Sequence, residues 1–250
     1  MVGPVLSAEH FDRWYADREA SSSADRMMRR VLRLPEGVDS TGMLGGDGLD
    51  EVVGLLALRP GQVLLDLACG RGGYGLEIAR RTGCGLIGVD FSAVAIAQAR
   101  ERAPEARFEV GTLTATGLPG ASVDAVLVAD SLQFADPKVA ALRECLRVLV
   151  PGGRLVVTCW QPRVPGDKSA SRLMWDLDLA RQLPEAGFAD AVVRDRPQWL
   201  DLEKRVWEEV LAADASGDPA LESLRREARL VLPRFGKRRR VLATATAPTT

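Results

Sequence analysis

Short unbroken apolar runs and apolar residues at helical spacing follow one another along most of this chain. Val63, Leu64 and Leu65 form a run suited to a strand buried on both faces, closed by Asp66. Leu76, Ile78 and Ala79 then recur at helical spacing until Gly83 stops them. Gly85–Asp90 is a second apolar run ending in an acid, and Ser92 caps a helix that reaches about Arg102. Residues 107–110 and 125–129 predict the third and fourth strands. Asp136 and Pro137 supply an N-cap and a first helical position, opening a helix that buries Leu142, Cys145, Leu146 and Leu149. Pro151-Gly152-Gly153 makes a tight turn into a fifth strand over 154–160. Leu173, Met174, Leu177 and Ala180 predict a helix within 168–183. A strand over 188–193, helices over 199–213 and 220–232, and a strand over 240–246 complete the pattern.

Ahead of the first strand the pattern is helical only. Phe11, Trp14 and Tyr15 share a face at i, i+3, i+4, and Met27, Met28, Val31 and Leu32 form a second patch. Ser21-Ser22-Ser23 breaks the two, with Ser23 as the expected N-cap. Residues 35–48 read as a glycine-rich loop, and residues 49–58 as a helix carrying Leu49, Val52, Val53 and Leu56 on one side.

Composition narrows the picture. A chain of 250 residues with 46% hydrophobic content supports one core with an added cap. A net charge of −1 argues against a general nucleic-acid or membrane-surface binder. The run Lys237-Arg238-Arg239-Arg240 has no aromatic interleaving and reads as a solvated strand start. Cys69, Cys84, Cys145 and Cys159 form no C-x-x-C pair and His10 is the only histidine, so no metal site is expected. The start, MVGPVLSAEH, lacks a basic and an apolar leader region, and no run suffices to span a bilayer. The expectation is a cytoplasmic protein with reduced thiols.

The chemistry concentrates between Asp66 and Gly75. Gly70, Gly72, Gly73 and Gly75 lie between a strand and a helix, where glycine lets the backbone take positive φ and a ligand approach the main chain. Gly70-Arg71-Gly72-Gly73-Tyr74-Gly75 matches the G-x-G-x-x-G of dinucleotide folds, with Asp90 near the position of a ribose-binding acid. The match is offset, because Asp66-Leu67-Ala68-Cys69 separates the first glycine from the strand. An acid at the strand end would repel a pyrophosphate and would suit a ligand carrying an ammonium. S-adenosylmethionine carries an ammonium and a sulfonium and no phosphate.

This stretch resembles motif I of the class I S-adenosylmethionine-dependent methyltransferases, an acid followed by x-G-x-G-x-G. Asp66, Ala68, Gly70 and Gly72 fall on those positions, with alanine for the first glycine. The small-molecule branch, with quinone-biosynthesis and natural-product enzymes, is the most similar, and the resemblance covers roughly residues 45 to 160. It implies an α/β fold: a doubly wound, seven-stranded, mostly parallel sheet with the last strand antiparallel. The domain organisation it implies is N-terminal helices over 1–58 as a lid, a core over 59–250, and a cap inserted at about 161–184. The alternative for both helical segments is plain packing on the core.

The resemblance further implies cofactor contacts from Asp66, Ala68, Gly70, Gly72, Asp90, Phe91, Thr112, Leu113, Asp130 and Ser131, with Asp90 accepting both ribose hydroxyls. Family members usually carry an acid where Thr112 stands, so adenine is held there without charge assistance, or by the Leu113 amide. Residues 130–134 are expected to line the space between cofactor and acceptor. Methyl transfer is an in-line displacement that draws much of its rate from positioning. A base is needed only where the nucleophile must lose a proton, and His10, Asp130 and Tyr15 are the candidates. The expected activity is methyl transfer to a small molecule, most of all to oxygen of a phenolic, quinone or polyketide-like acceptor, by a monomer or homodimer. The competing readings are a cofactor-binding cyclase or rearrangement enzyme on the same fold, and a nicotinamide-dependent oxidoreductase. Against the last stands the lack of a Tyr-x-x-x-Lys pair.

Overall fold

A computed structural model describes residues 7–39, 41–214 and 217–249; the first six residues of the stretch read for a leader lie outside them. The chain forms helices α1 (Ala8–Ala20), α2 (Ser23–Leu32) and α3 (Gly46–Leu56), then strand β1 (Val63–Leu67) and helix α4 (Gly73–Thr82). Next come β2 (Gly85–Asp90), α5 (Ala93–Arg102), β3 (Arg107–Val110), β4 (Val123–Ala129), α6 (Lys138–Val148) and β5 (Leu149–Pro162). Helix α7 (Leu179–Ala186), β6 (Ala189–Asp195), α8 (Pro197–Ala212), α9 (Pro219–Val231) and β7 (Arg238–Thr246) end it.

The seven strands form one sheet in the order β3-β2-β1-β4-β5-β7-β6. Strands β1 to β5 pair in parallel, and β7 runs antiparallel between β5 and β6. The expected architecture is thus the observed one. Leu64, Leu65 and Leu67 are buried to 1% exposure or less, as a strand covered on both faces requires. One apolar cluster joins the sheet to α2, α3, α8 and α9, and a second joins its other face to α6 and α7. No helix among the described residues is long and apolar enough to cross a membrane.

Several local expectations need correction. The helix placed within 168–183 is two pieces, a 3-10 turn at Arg172–Met174 and then α7. Gln182 causes the break: its side chain accepts from the Asp178 amide and donates to the Asp176 carbonyl, so the chain is held extended before α7. Pro151-Gly152-Gly153 lies inside β5 rather than before it, at a register shift against β4. Helix α2 begins at Ser23 itself, with Ser22 in the cap position and no side-chain bond. Pro137 caps α6 instead of opening it. The basic run is the largest departure: Arg238 and Arg240 are 9% and 1% exposed, facing inward from β7 onto acids of neighbouring elements. Helices α8 and α9, between β6 and β7, pack on α1 and α2, and α1 also packs on α5.

Candidate active site

The loop between β1 and α4 turns through left-handed backbone at Ala68 (φ 61°), Gly70 (φ 54°) and Gly72 (φ 80°). The Ala68 and Cys69 amides both donate to the Val89 carbonyl, at 2.7 and 3.1 Å, which clips the loop to β2. The Gly70 amide donates to Asp90 Oδ2 at 2.8 Å, and the Ser92 amide to Asp90 Oδ1 at 2.9 Å. The Phe91 amide bonds the same carboxylate, so Asp90 ties the glycine loop to the head of α5 through three backbone donors. Ser92 also caps α5 with its hydroxyl, as its place in the sequence predicts.

Asp66, at the tip of the neighbouring strand, accepts from the Gly75 amide at 3.0 Å. A Cβ on Gly75 would stand 2.7 Å from Asp66 Oδ2, so glycine is required for this approach. Burial pushes Asp66 up to about 7, against the pull of the Gly75 bond, and the negative Asp90 adds to the rise. Burial raises Asp90 as well. Two carboxyl groups on adjacent parallel strands thus stand buried beside a buried glycine loop.

The N-terminal segment closes on this loop. The Tyr15 hydroxyl would be 2.5 Å from a Cβ on Gly70, and the Asp39 carbonyl 2.2 Å from one on Gly73. The Met43 amide donates to Asp130 Oδ2 at 2.7 Å, and Tyr74 donates to the Leu44 carbonyl at 2.7 Å. Asp12 of α1 accepts from the Ser92 hydroxyl. Phe11 packs against Phe91 and Phe134, with ring centres 5.2 and 5.6 Å apart, so α1 joins the residue after Asp90 to the segment beyond β4.

The structure treats the three base candidates differently. Asp130 holds three donors besides its own backbone: Oδ1 accepts from Thr158 Oγ1 and Arg240 Nη2, both at 2.8 Å, and Oδ2 from Met43. Burial pushes the Tyr15 phenol well above its ordinary value, with Asp90 adding to the rise. His10 is half-buried on α1, its ring edge-on to Phe11. Among the cofactor candidates, Asp66, Ala68, Gly70, Gly72, Asp90 and Phe91 surround one loop. Thr112 instead is exposed, bridging Ala115 and 3.4 Å from the Thr114 hydroxyl, while Leu113 is half-buried. Ser131 is buried with a hydroxyl that meets no partner among the described residues, next to Asp130.

Sequence reasoning missed Met43, whose amide fixes Asp130, and Arg71, which pairs with Asp25 at 2.8 Å. Arg71 was visible only as a long side chain among glycines; nothing in the sequence points to a partner 46 residues away.

The donor set fits S-adenosylmethionine. The buried acids favour hydroxyls and a cationic end, and a pyrophosphate would meet Asp66 and Asp90 instead of a bare helix terminus. The glycine cradle is closely packed, with Tyr15 against Gly70, Phe108 against Gly72 and Asp39 against Gly73.

Residues 64–153 match the family model of a methyltransferase domain. Phosphoethanolamine N-methyltransferase 1 of Arabidopsis thaliana is 30% identical over 209 residues, 78% of this chain and 42% of that protein. Demethylmenaquinone methyltransferase of Beutenbergia cavernae is 40% identical over 102 residues, 41% of this chain and 42% of that one. The chain spans less than half the length of these curated relatives. Among solved structures, the [4+2]-cyclase SpnF shares the fold with a TM-score of 0.72 at 21% identity, over 98% of this chain and 97% of that one.

Proposed function

We propose that this chain, which carries a class I S-adenosylmethionine-dependent methyltransferase domain over residues 64–153, transfers a methyl group to a small-molecule acceptor. The observation that carries the reading is the pair of buried acids, Asp66 and Asp90, on adjacent strand tips around a glycine loop. When bound, S-adenosylmethionine supplies an electrophilic methyl on a sulfonium. Asp90 offers its carboxylate to the ribose hydroxyls, and Asp66 offers negative charge to the amino-acid end. Phe11, Phe91 and Phe134 form an aromatic wall on the α1 side.

For the acceptor we favour a phenolic, quinone or polyketide-like ring. The support is the aromatic wall together with the demethylmenaquinone methyltransferase relative. Asp130 is occupied with Thr158, Arg240 and Met43, and Tyr15 is held neutral, so neither is free to take a proton. His10 stays the candidate base for an acceptor that must lose one. With an acidic phenol, positioning alone supplies much of the rate.

A second reading, a cyclase that uses the same cofactor fold, has the SpnF likeness in its favour. The test is incubation with labelled S-adenosylmethionine and a panel of hydroquinones and phenols. Labelled product supports methyl transfer. Tight cofactor binding with no label moved to any acceptor favours the cyclase reading.

A further inference from the structure

We propose that Asp25 and Arg71 are positioning residues of the glycine loop: the Asp25 carboxylate, shared between Arg71 of the loop and Arg18 of α1, clamps the N-terminal helices onto the cofactor cradle. This rests on the cofactor reading above.

Between Cys69 and Gly73 the one long side chain is Arg71, flanked by Gly70 and Gly72 in left-handed backbone. Glycines offer no side chain by which a loop can be anchored, and they give the chain many conformations to lose. Arg71 supplies the anchor. Its guanidinium turns into the helices, with Nη2 2.8 Å from Asp25 Oδ2 and both side chains 6% exposed. On the other oxygen, Arg18 Nε stands 3.2 Å from Asp25 Oδ1, and the Arg18 guanidinium lies 4.5 Å over the Trp14 ring.

Helix α1 therefore meets the loop at two successive residues. Tyr15 lies directly against Gly70, and Arg18, one turn later, reaches Arg71 through Asp25. A buried ion pair gives little net stability, because losing hydration offsets the attraction. Its effect here is geometric: loop, α1 and α2 hold one relative placement, and loosening it acts on cofactor affinity rather than on the rate of the saturated enzyme.

The test variant is Arg71→Met in the full chain, which leaves Asp25 paired with Arg18 and strands no charge; Asp25→Asn would strand the buried Arg71, leave Arg18 with Glu227 alone, and risks unfolding. Calorimetry with S-adenosylhomocysteine is expected to give affinity weakened by about tenfold or more in Arg71→Met, a loss near 1.4 kcal/mol. Arg71→Lys, which keeps the charge, should recover most of it. Hydrogen exchange on the ligand-free variant should quicken in α1 and α2 and stay unchanged in α6. Unaltered affinity and unaltered exchange would overturn the clamp. A wild-type protein that binds no S-adenosylhomocysteine would instead defeat the cofactor reading, and exchange alone would then decide the clamp.

Discussion

Asp130 at the tip of β4 and Arg240 of β7 form an ion pair at 2.8 Å with side chains 1% and 0% exposed. Arg240 also faces Glu203 of α8, whose carboxylate accepts from the Trp160 and Trp207 indoles at 2.6 and 3.0 Å. The pair fixes Asp130 with φ at 55°, and Asp130 in turn holds Met43. A run that reads as solvated strand is thus a buried brace between β7, the tip of β4 and the loop ahead of α3.

Arg240→Met should destabilise the protein strongly, since it leaves Asp130 buried and unpaired; a loss of about 3–5 kcal/mol is expected. The pair Asp130→Asn with Arg240→Met should be more stable than Arg240→Met alone. Urea denaturation of the unaltered protein and the two variants checks both statements. A loss within about 0.5 kcal/mol, the range of ordinary surface changes, would contradict the brace.

Gly70→Val should abolish cofactor binding. The site demands positive φ, and the added Cβ would enter the Tyr15 hydroxyl at 2.5 Å. Asp90→Ala should weaken binding by about tenfold or more, through loss of a charge-assisted acceptor. Calorimetric affinity measures each, and unchanged affinity in either would remove that residue from the site.

Asp66 gives a pH dependence of defined sign. Its folded value is raised to about 7 by burial, so the folded protein keeps a proton that the unfolded chain has already released. Stability from this group is full below the ordinary carboxylate range and is lost as pH rises toward 7. Affinity for a cationic ligand runs the other way, weakening as pH falls through about 7. Asp66→Asn should therefore raise the melting temperature of the ligand-free protein at pH 8 while weakening S-adenosylmethionine binding. Thermal scans and titrations at pH 6 and 8 check the two directions, and a variant that melts lower at pH 8 would contradict the cause assigned.

Phe134 is 39% exposed at the carboxyl edge of the sheet, resting on Phe11. Phe134→Ala should raise KM for an aromatic acceptor several-fold and leave S-adenosylhomocysteine affinity unchanged. Equal loss in both would place this residue with the cofactor.

What the sequence disclosed was local. The strand, glycine loop and helix from Val63 to Thr82 were legible because run length, periodicity and left-handed glycines act within a few residues. Asp90 was legible because a strand tip follows from the pattern around it. The clamp and the brace were not, since Asp25 lies 46 residues from Arg71 and Asp130 lies 110 from Arg240. Four basic residues in a row look solvated until the fold buries every second one beside an acid. Likewise the helix within 168–183 failed on one glutamine, whose amide satisfied backbone groups that a continuous helix would have paired.

The most direct measurement is calorimetric titration of the full chain with S-adenosylhomocysteine and, separately, with NADH. Micromolar binding of S-adenosylhomocysteine and none of NADH is the predicted result. Binding of NADH alone would contradict the account and make the glycine loop a dinucleotide turn.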